Sequence, residues 1–333
     1  MSKQTKDEEN KKKSTEAELV YHYCSTDVFQ KIVANKKIRL SDITKSNDSA
    51  ELKWASQFVK DIFMEKFKNA ANSDKKFFEC YPPDFFAKYL SRYTRENFDD
   101  DERYYTFYVC CFSAVGDQLS QWRGYADDGK GLSVGFDREK MKEKVDNGNE
   151  PLTFDKVVYN ENEQKRIVNR YANALFSGLK ALAKAELTRE ELESYSRVIF
   201  NKVFVGLFEN CVLLKNPFFK EEKEYRLCYL DTVEQSLSIA EVEKLFEELK
   251  KQSNPQISSE NNPPKEPTIT TKIDYYCRGS ILVPYYDFSF NKNMIKEVII
   301  GPKSNASERD IESFLHNYGF RNVTVKKSAG TYR

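Results

Sequence analysis

The run Tyr-Thr-Phe-Tyr-Val-Cys-Cys-Phe at positions 105–112 constrains this chain more than any other feature. An uncharged stretch of aromatic and β-branched residues of this length reads as a buried strand. A second strand-like run, Leu-Ser-Val-Gly-Phe, follows at 132–136. Between them lies a short helix-like segment with Gln118, Gln121, Trp122, Arg123 and Tyr125, then an Asp-Asp-Gly turn. A polar strand end such as Ser113, followed by an aromatic helix, is one way to build the floor of a ligand pocket. An ordinary strand–helix–strand unit leaves the same pattern, so the stretch alone decides nothing. The turn at 127–131, Asp-Asp-Gly-Lys-Gly, has the glycine spacing of neither a P-loop nor a Rossmann fingerprint.

A strand this apolar needs a core, and 333 residues are enough for one large domain or two small ones. Twenty Tyr and 24 Phe supply much of the packing area. Lys plus Arg (53) nearly cancels Asp plus Glu (52), which excludes a global basic field but not a local groove for nucleic acid. No apolar run approaches the ~20 residues that span a bilayer. The highly charged opening lacks the apolar segment of a secretory signal, so 1–17 is expected to be a flexible leader. Seven cysteines sit mostly inside apolar runs without a C-x-x-C pair, and there are only two histidines. No zinc or other metal site is expected, and the cysteines read as reduced residues of a cytoplasmic protein.

Periodicity and punctuation then divide the chain. Short strands are expected at 19–23 and 37–40, around a helix over 27–34 capped by Ser25 or Thr26. Asn47 and Asp48 make a turn, and Glu51 opens a helix to about 67. Residues 69–103 read as a loop and a helix interrupted at Pro82-Pro83, and 152–159 as a strand. Apolar residues three or four apart predict a long helix over 161–185. Thr188 with Glu191 forms a capping box that opens another helix, to about 214. A strand ends the stretch from Pro217 to Leu230, and a helix covers 236–251. The Ser-, Asn- and Pro-rich stretch 252–270 reads as a flexible loop. Strands at 275–284, 295–300 and 320–326 and a helix at 307–318 complete the reading. Short, irregularly interleaved strands favour an α+β fold with a mixed or antiparallel, split sheet and flanking helices. We expect one domain over 18–333 with a helical insertion at about 161–214.

Several pieces in order carry a resemblance. They are Tyr21-His22-Tyr23, Leu40-Ser41 with Asn47-Asp48 and Glu51, Cys111-Phe112-Ser113, Trp122 with Tyr125, and Gly131 before a strand. Phe219-Lys220 with Glu224-Tyr225-Arg226, then Ser328 with Tyr332-Arg333, close the set. From about 19 to 333 the chain resembles the bacterial family known as domain of unknown function 2971. More distantly, a strand bearing His, a helix and a short strand ending in Leu-Ser resemble the opening of ADP-ribosyltransferase-like domains. That likeness implies a split sheet holding NAD, with a first-strand His on the adenosine-side ribose. It also implies a Ser or Tyr at the nicotinamide and a late Glu that stabilises the cationic sugar. The matching residues are His22, then Ser113 or Tyr125, then Glu224. A setting as a bacterial toxin or antiviral defence effector comes with the resemblance.

Each residue also has a plainer reading. His22 could hold a ribose or phosphate, or satisfy a backbone carbonyl at the core edge. Strand alternation puts it on the opposite face from Tyr21 and Tyr23. Asp48 and Glu51 have capping spacing, which leaves Asn47 as the one to face a pocket. Trp122 and Tyr125 could stack on nicotinamide, and Arg123 could meet a phosphate or a surface carboxylate. Glu224 and Arg226 share one strand face; a carboxylate beside Arg stays ionised and suits stabilisation of a cation. The expectation is an NAD-using transferase with Glu224, His22 and Tyr125 catalytic, and His22, Ser41, Asn47, Ser113, Trp122, Arg123 and Arg226 binding. NAD or a related nucleotide would be its partner, with a protein or nucleic-acid acceptor. The alternatives are a binding module for nucleotide or nucleic acid, and a metal-dependent nuclease using Asp48, Glu51 and Glu224. The transferase reading asks His22, Ser113, Tyr125 and Glu224 to line one cleft, and it fails if His22 and Glu224 lie on opposite sides of the sheet.

Overall fold

Two strands that diverge from one edge of a third create the central feature of this computed structural model, which describes residues 18–45, 49–93, 105–232 and 273–330. The expected leader, Asn47, Asp48, the helix at 236–251, the loop at 252–270 and Tyr332-Arg333 lie outside the described residues.

The chain opens with β1 (Leu19–Cys24), α1 (Thr26–Asn35) and β2 (Lys37–Asp42), followed by helices α2 (Ser49–Ser73), α3 (Lys75–Cys80) and α4 (Pro83–Tyr93). Next come β3 (Tyr105–Ser113), α5 (Leu119–Tyr125), β4 (Leu132–Asp137), α6 (Arg138–Asp146) and β5 (Leu152–Lys156). Two long helices, α7 (Glu161–Lys184) and α8 (Arg189–Cys211), lead through a 3₁₀ turn at Pro217–Glu222 into β6 (Glu224–Thr232). The last part holds β7 (Ile273–Arg278), β8 (Ile281–Ser289), β9 (Ile295–Ile300), α9 (Glu308–Asn317) and β10 (Thr324–Lys327).

The strands form one open sheet in the order β10-β9-β4-β1-β3-β2-β8-β7, with β6 on β3 and β5 on β6. Its pairs are antiparallel except β9 with β10, so the fold is α+β with a mixed, mostly antiparallel sheet. The uncharged run of β3 is explained by burial on both faces. Tyr108, Cys110 and Phe112 join Leu227 and Tyr229 in a core covered by α1, α6 and α9. Phe107 lies on the opposite face with Cys228 and Leu230, against α2, α3, α7 and α8. Helix α8 is buried from Val203 to Phe208 because it packs inside this second layer.

Local signals explain most of the boundaries. Ser25 caps α1 by accepting from the Val28 amide, and Asp74 caps α3 through the Phe77 amide. The residues before β3 do not form one loop and helix: α2 runs on to Ser73, and Pro83 occupies the first turn of α4, where a missing N–H costs nothing. Helix α8 stops at Cys211, and Pro217 starts the 3₁₀ turn rather than ending that helix. The single strand expected at 275–284 is a hairpin, turned at Gly279 with φ of +61°. The strands expected at 152–159 and 320–326 are shorter, ending at Lys156 and starting at Thr324.

The Thr188 capping box is complete, with Glu191 taking the Thr188 amide at 2.9 Å. Thr188→Ala removes the hydroxyl half of it, leaving the main-chain amide on Glu191, and should cost about 1 kcal/mol. A urea unfolding curve with an unchanged slope and lower midpoint is the expected result.

Candidate functional site: a cleft in the split sheet

Strand β3 pairs along its whole length with β6, but its other edge is shared. There β2 pairs only at Tyr108 and Val109, and β1 only at Ser113. Residues 110–112 therefore have a strand partner on the β6 side alone. The gap between the diverging β1 and β2 opens a cavity of about 370 Å³. Its lining includes His22, Arg39, Ser41, Gln121, Tyr125 and Glu224. A volume of this size suits a small-molecule ligand.

His22 bridges the gap. Its Nδ1 lies 3.0 Å from the Cys111 carbonyl oxygen, on the edge of β3 that lacks a strand partner. Burial disfavours the imidazolium and lowers the pKa below the ordinary 6.5, outweighing the opposing effect of the Cys111 hydrogen bond. The neutral ring also packs near Phe112, 5.7 Å between centroids.

The pleat separates His22 from Glu224. Val20 and Cys24, which share a face of β1 with His22, belong to the core beneath α1 and α6. Arg226 and Cys228 share the face of β6 with Glu224, and Cys228 belongs to the opposite core. The two residues come from opposite faces of the sheet and meet only because the cavity passes through the split. This corrects the expectation that both lie on one side.

Tyr21 and Tyr23 stand on the Glu224 side and shape the wall. Tyr21 donates to Glu297 Oε2 at 3.0 Å, and its ring covers Gly116, where a Cβ would meet it at 2.4 Å. Tyr23 donates to the Val115 carbonyl at 2.8 Å and accepts from the Gln118 amide at 3.0 Å. Gly116→Ala should therefore push the Tyr21 ring out of place; loss of the Tyr21–Glu297 bond, seen as a tyrosine pKa shift by absorbance titration, is the check.

Glu224 sits at the floor, 3% exposed. Burial alone would raise its carboxyl, but the charges of Arg226 and Lys215 and hydrogen bonds from Arg226 and Cys111 bring it down to about 2. Arg226 Nε donates to Oε1 at 2.7 Å and Nη2 to Oε2 at 3.3 Å, while Lys215 Nζ donates to Oε2 at 2.8 Å. With Cys111 these contacts use about all four lone-pair sites of the carboxylate. Lys215 also donates to Glu222 Oε2 at 2.5 Å. Its ammonium is pushed up because its two carboxylate partners outweigh burial. The sequence leaves open which acid of the run Lys-Glu-Glu-Lys-Glu at 220–224 faces the pocket; Glu222 and Glu224 line the cavity and Glu221 does not.

Several expected binding residues lie elsewhere. Ser113 is buried and locks a turn, donating to the Glu222 carbonyl at 2.8 Å and accepting from the Val115 amide at 3.1 Å. Trp122 is 1% exposed and is no stacking platform for a ligand: its edge meets Tyr23 and its indole N–H donates to Asp117 at 2.6 Å. Arg226 sits behind Glu224, held by the Val212 carbonyl at 2.6 Å, and Arg123 is exposed outside the lining. The side chain of Glu51 lies outside the described residues.

Sequence reasoning missed Arg39, Gln121 as a lining residue, and Lys215. The alternation Lys-Ile-Arg-Leu-Ser did carry a signal, since it puts Arg39 on the same face as Ser41. Lys215, after the apolar run 211–214, carried only the hint of a charge placed against a core.

The matching segment begins at one of these missed residues. Residues 121–227 match the family model described as Protein of unknown function (DUF2971). No curated protein and no solved structure matches the chain. The DUF2971 match covers about a third of the chain, from Gln121 through α7 and α8 to Leu227. It takes in Tyr125, Lys215, Glu222, Glu224 and Arg226, but not β1 or β2, which bring His22, Arg39 and Ser41.

The turn at 127–131 has a structural role. Asp127, Asp128 and Gly129 all have positive φ, and Lys303 Nζ closes on Asp128 at 2.9 Å. A Cβ at Gly131 would lie 2.1 Å from the Cys24 carbonyl, so the main chain there must be bare.

Proposed function

We propose that this chain binds NAD or a related nucleotide in the cleft; cleavage of NAD or transfer of its ADP-ribose is the second reading. The observation that carries this reading is that His22, Ser41, Tyr125 and Glu224 line a single cavity in a split sheet. In the reaction the bond between nicotinamide nitrogen and ribose C1′ breaks, and its electron pair leaves with nicotinamide. Water or an acceptor hydroxyl attacks C1′ and releases one proton. Glu224 would be the acid beneath the developing cationic sugar; it is ionised at neutral pH but its charge is already paired with Arg226 and Lys215. Neutral His22 supplies hydrogen bonding rather than charge, and Tyr125, 43% exposed, offers a ring at the mouth. A toxin or antiviral effector is the setting that goes with this activity.

The test is incubation of the purified chain with NAD and measurement of released nicotinamide. Tyr125→Ala should keep the fold, because the side chain is half-exposed, and should slow release about tenfold or more, the size of a lost aromatic contact. Release that is unchanged in folded Glu224→Gln rules out the proposed role of that acid. Binding without turnover is favoured over the reaction by the saturation of Glu224 and by the opposite strand faces of Glu224 and His22. NAD that binds without nicotinamide release selects it. Metal-stimulated degradation of nucleic acid would select the nuclease instead.

A further inference from the structure

Three polar groups on the cavity lining have no hydrogen-bond partner among the described residues: the Arg39 guanidinium, the Ser41 hydroxyl and the Gln121 amide. Gln121 is 7% exposed, and its amide keeps contact with water in the cavity rather than with a protein partner. Arg39 stacks on two rings, with its Cζ 3.8 Å from the Tyr285 centroid and 4.6 Å from that of Tyr276, and its charge also acts on the Asp274 carboxylate. The nearby carboxylates are engaged: Asp287 holds Lys37 at 3.2 Å, and Asp274 accepts from the Tyr285 hydroxyl at 2.9 Å. A guanidinium stacked on aromatic faces keeps its in-plane N–H fork open. Arg39 and Ser41 are two apart on β2 and present that fork and a hydroxyl to the same side. Glu222 and Glu224, elsewhere on the lining, are compensated by Lys215 and Arg226.

We infer that Arg39 and Ser41 form the phosphate subsite of the cleft, and that Gln121 reads a neutral polar group of the same ligand. A planar fork beside a hydroxyl suits two oxygens of a phosphate ester. The ligand class is a nucleoside diphosphate or its ester, with its phosphates at the Arg39 end. This assignment rests on the cleft being the ligand site proposed above, but on no turnover.

Calorimetric titration with ADP, adenosine and inorganic pyrophosphate tests it. ADP should bind the unaltered chain and lose about 10–100-fold in affinity in Arg39→Gln, the size of charged hydrogen bonds lost. Arg39→Lys should restore only part, since an ammonium keeps the charge but not the fork. Adenosine should bind Arg39→Gln and the unaltered chain alike, and pyrophosphate should compete with ADP. Equal ADP affinity in Arg39→Gln, or no ADP binding to the unaltered chain, overturns the inference. Nicotinamide release that persists while ADP ignores Arg39 leaves the NAD reading standing without this subsite. Arg39-dependent ADP binding with no nicotinamide release does the reverse.

Discussion

Replacing Arg226 with Met is expected to destabilise the fold by about 3–5 kcal/mol, the usual result of removing one partner from a buried ion pair. Arg226 and Lys215 are each 1% exposed, and together they neutralise Glu224 in the interior. Without the guanidinium, Glu224 keeps Lys215 but loses two hydrogen bonds, and the Val212 carbonyl loses its donor. The same network predicts an acid dependence. The folded-state carboxyl titrates near 2 and the unfolded one near the ordinary 4.5, so the unfolded chain takes up the proton first. Its stabilisation is whole above the unfolded value and is lost as pH falls from about 4.5 toward 2. Unfolding by urea at pH 6 and pH 3 should show a steeper loss for the unaltered chain than for Glu224→Gln. Equal losses would contradict the assignment of that acid slope to Glu224.

Trp122→Ala should be comparably severe, at about 3–5 kcal/mol, because it deletes a large, fully buried ring. The ring is the contact that seats α5 against β1, with its centroid 4.8 Å from that of Tyr23. Its N–H also helps organise Asp117, which accepts from Ser328 at 2.6 Å and from the Ala329 amide at 2.8 Å. Burial would raise the Asp117 carboxyl, but hydrogen bonds from Ser328, Trp122 and Ala329 hold it below the usual range. Trp122→Phe keeps most of the packing and loses only the donor, so its cost should be smaller, about 1.5–3 kcal/mol. Denaturation midpoints of the two variants separate packing from the hydrogen bond. A Phe variant as unstable as the Ala variant would show that the bond to Asp117 dominates.

The parts of the fold legible in the sequence are those governed by neighbours within a turn or two. Apolar spacing marked α7, the Thr188–Glu191 pair marked the start of α8, and Ser307 marked α9. The β7–β8 hairpin was read as one strand because Tyr275, Tyr276 and Cys277 favour extended chain and only Gly279 breaks it. The site was legible by residue type more than by partnership. His22, Ser41, Tyr125 and Glu224 do reach the cavity, but Ser113 and Trp122 are drawn into packing around it. Lys215 approaches Glu224 only because the 3₁₀ turn at Pro217–Glu222 folds the chain back, which no local pattern encodes.

The gap beside residues 110–112 has a consequence for how such a site can diversify. Its outline is drawn by backbone pairing, at Ser113 with Tyr21 at one end and at Val109 with Ser41 at the other. Side chains decorate that opening but do not create it. Exchanging Arg39 or Tyr125, both exposed, alters what the opening recognises without dismantling the ladder that frames it. The recognition chemistry and the folding chemistry are thereby assigned to different atoms, so one can drift while the other is conserved by the hydrogen bonds of the sheet.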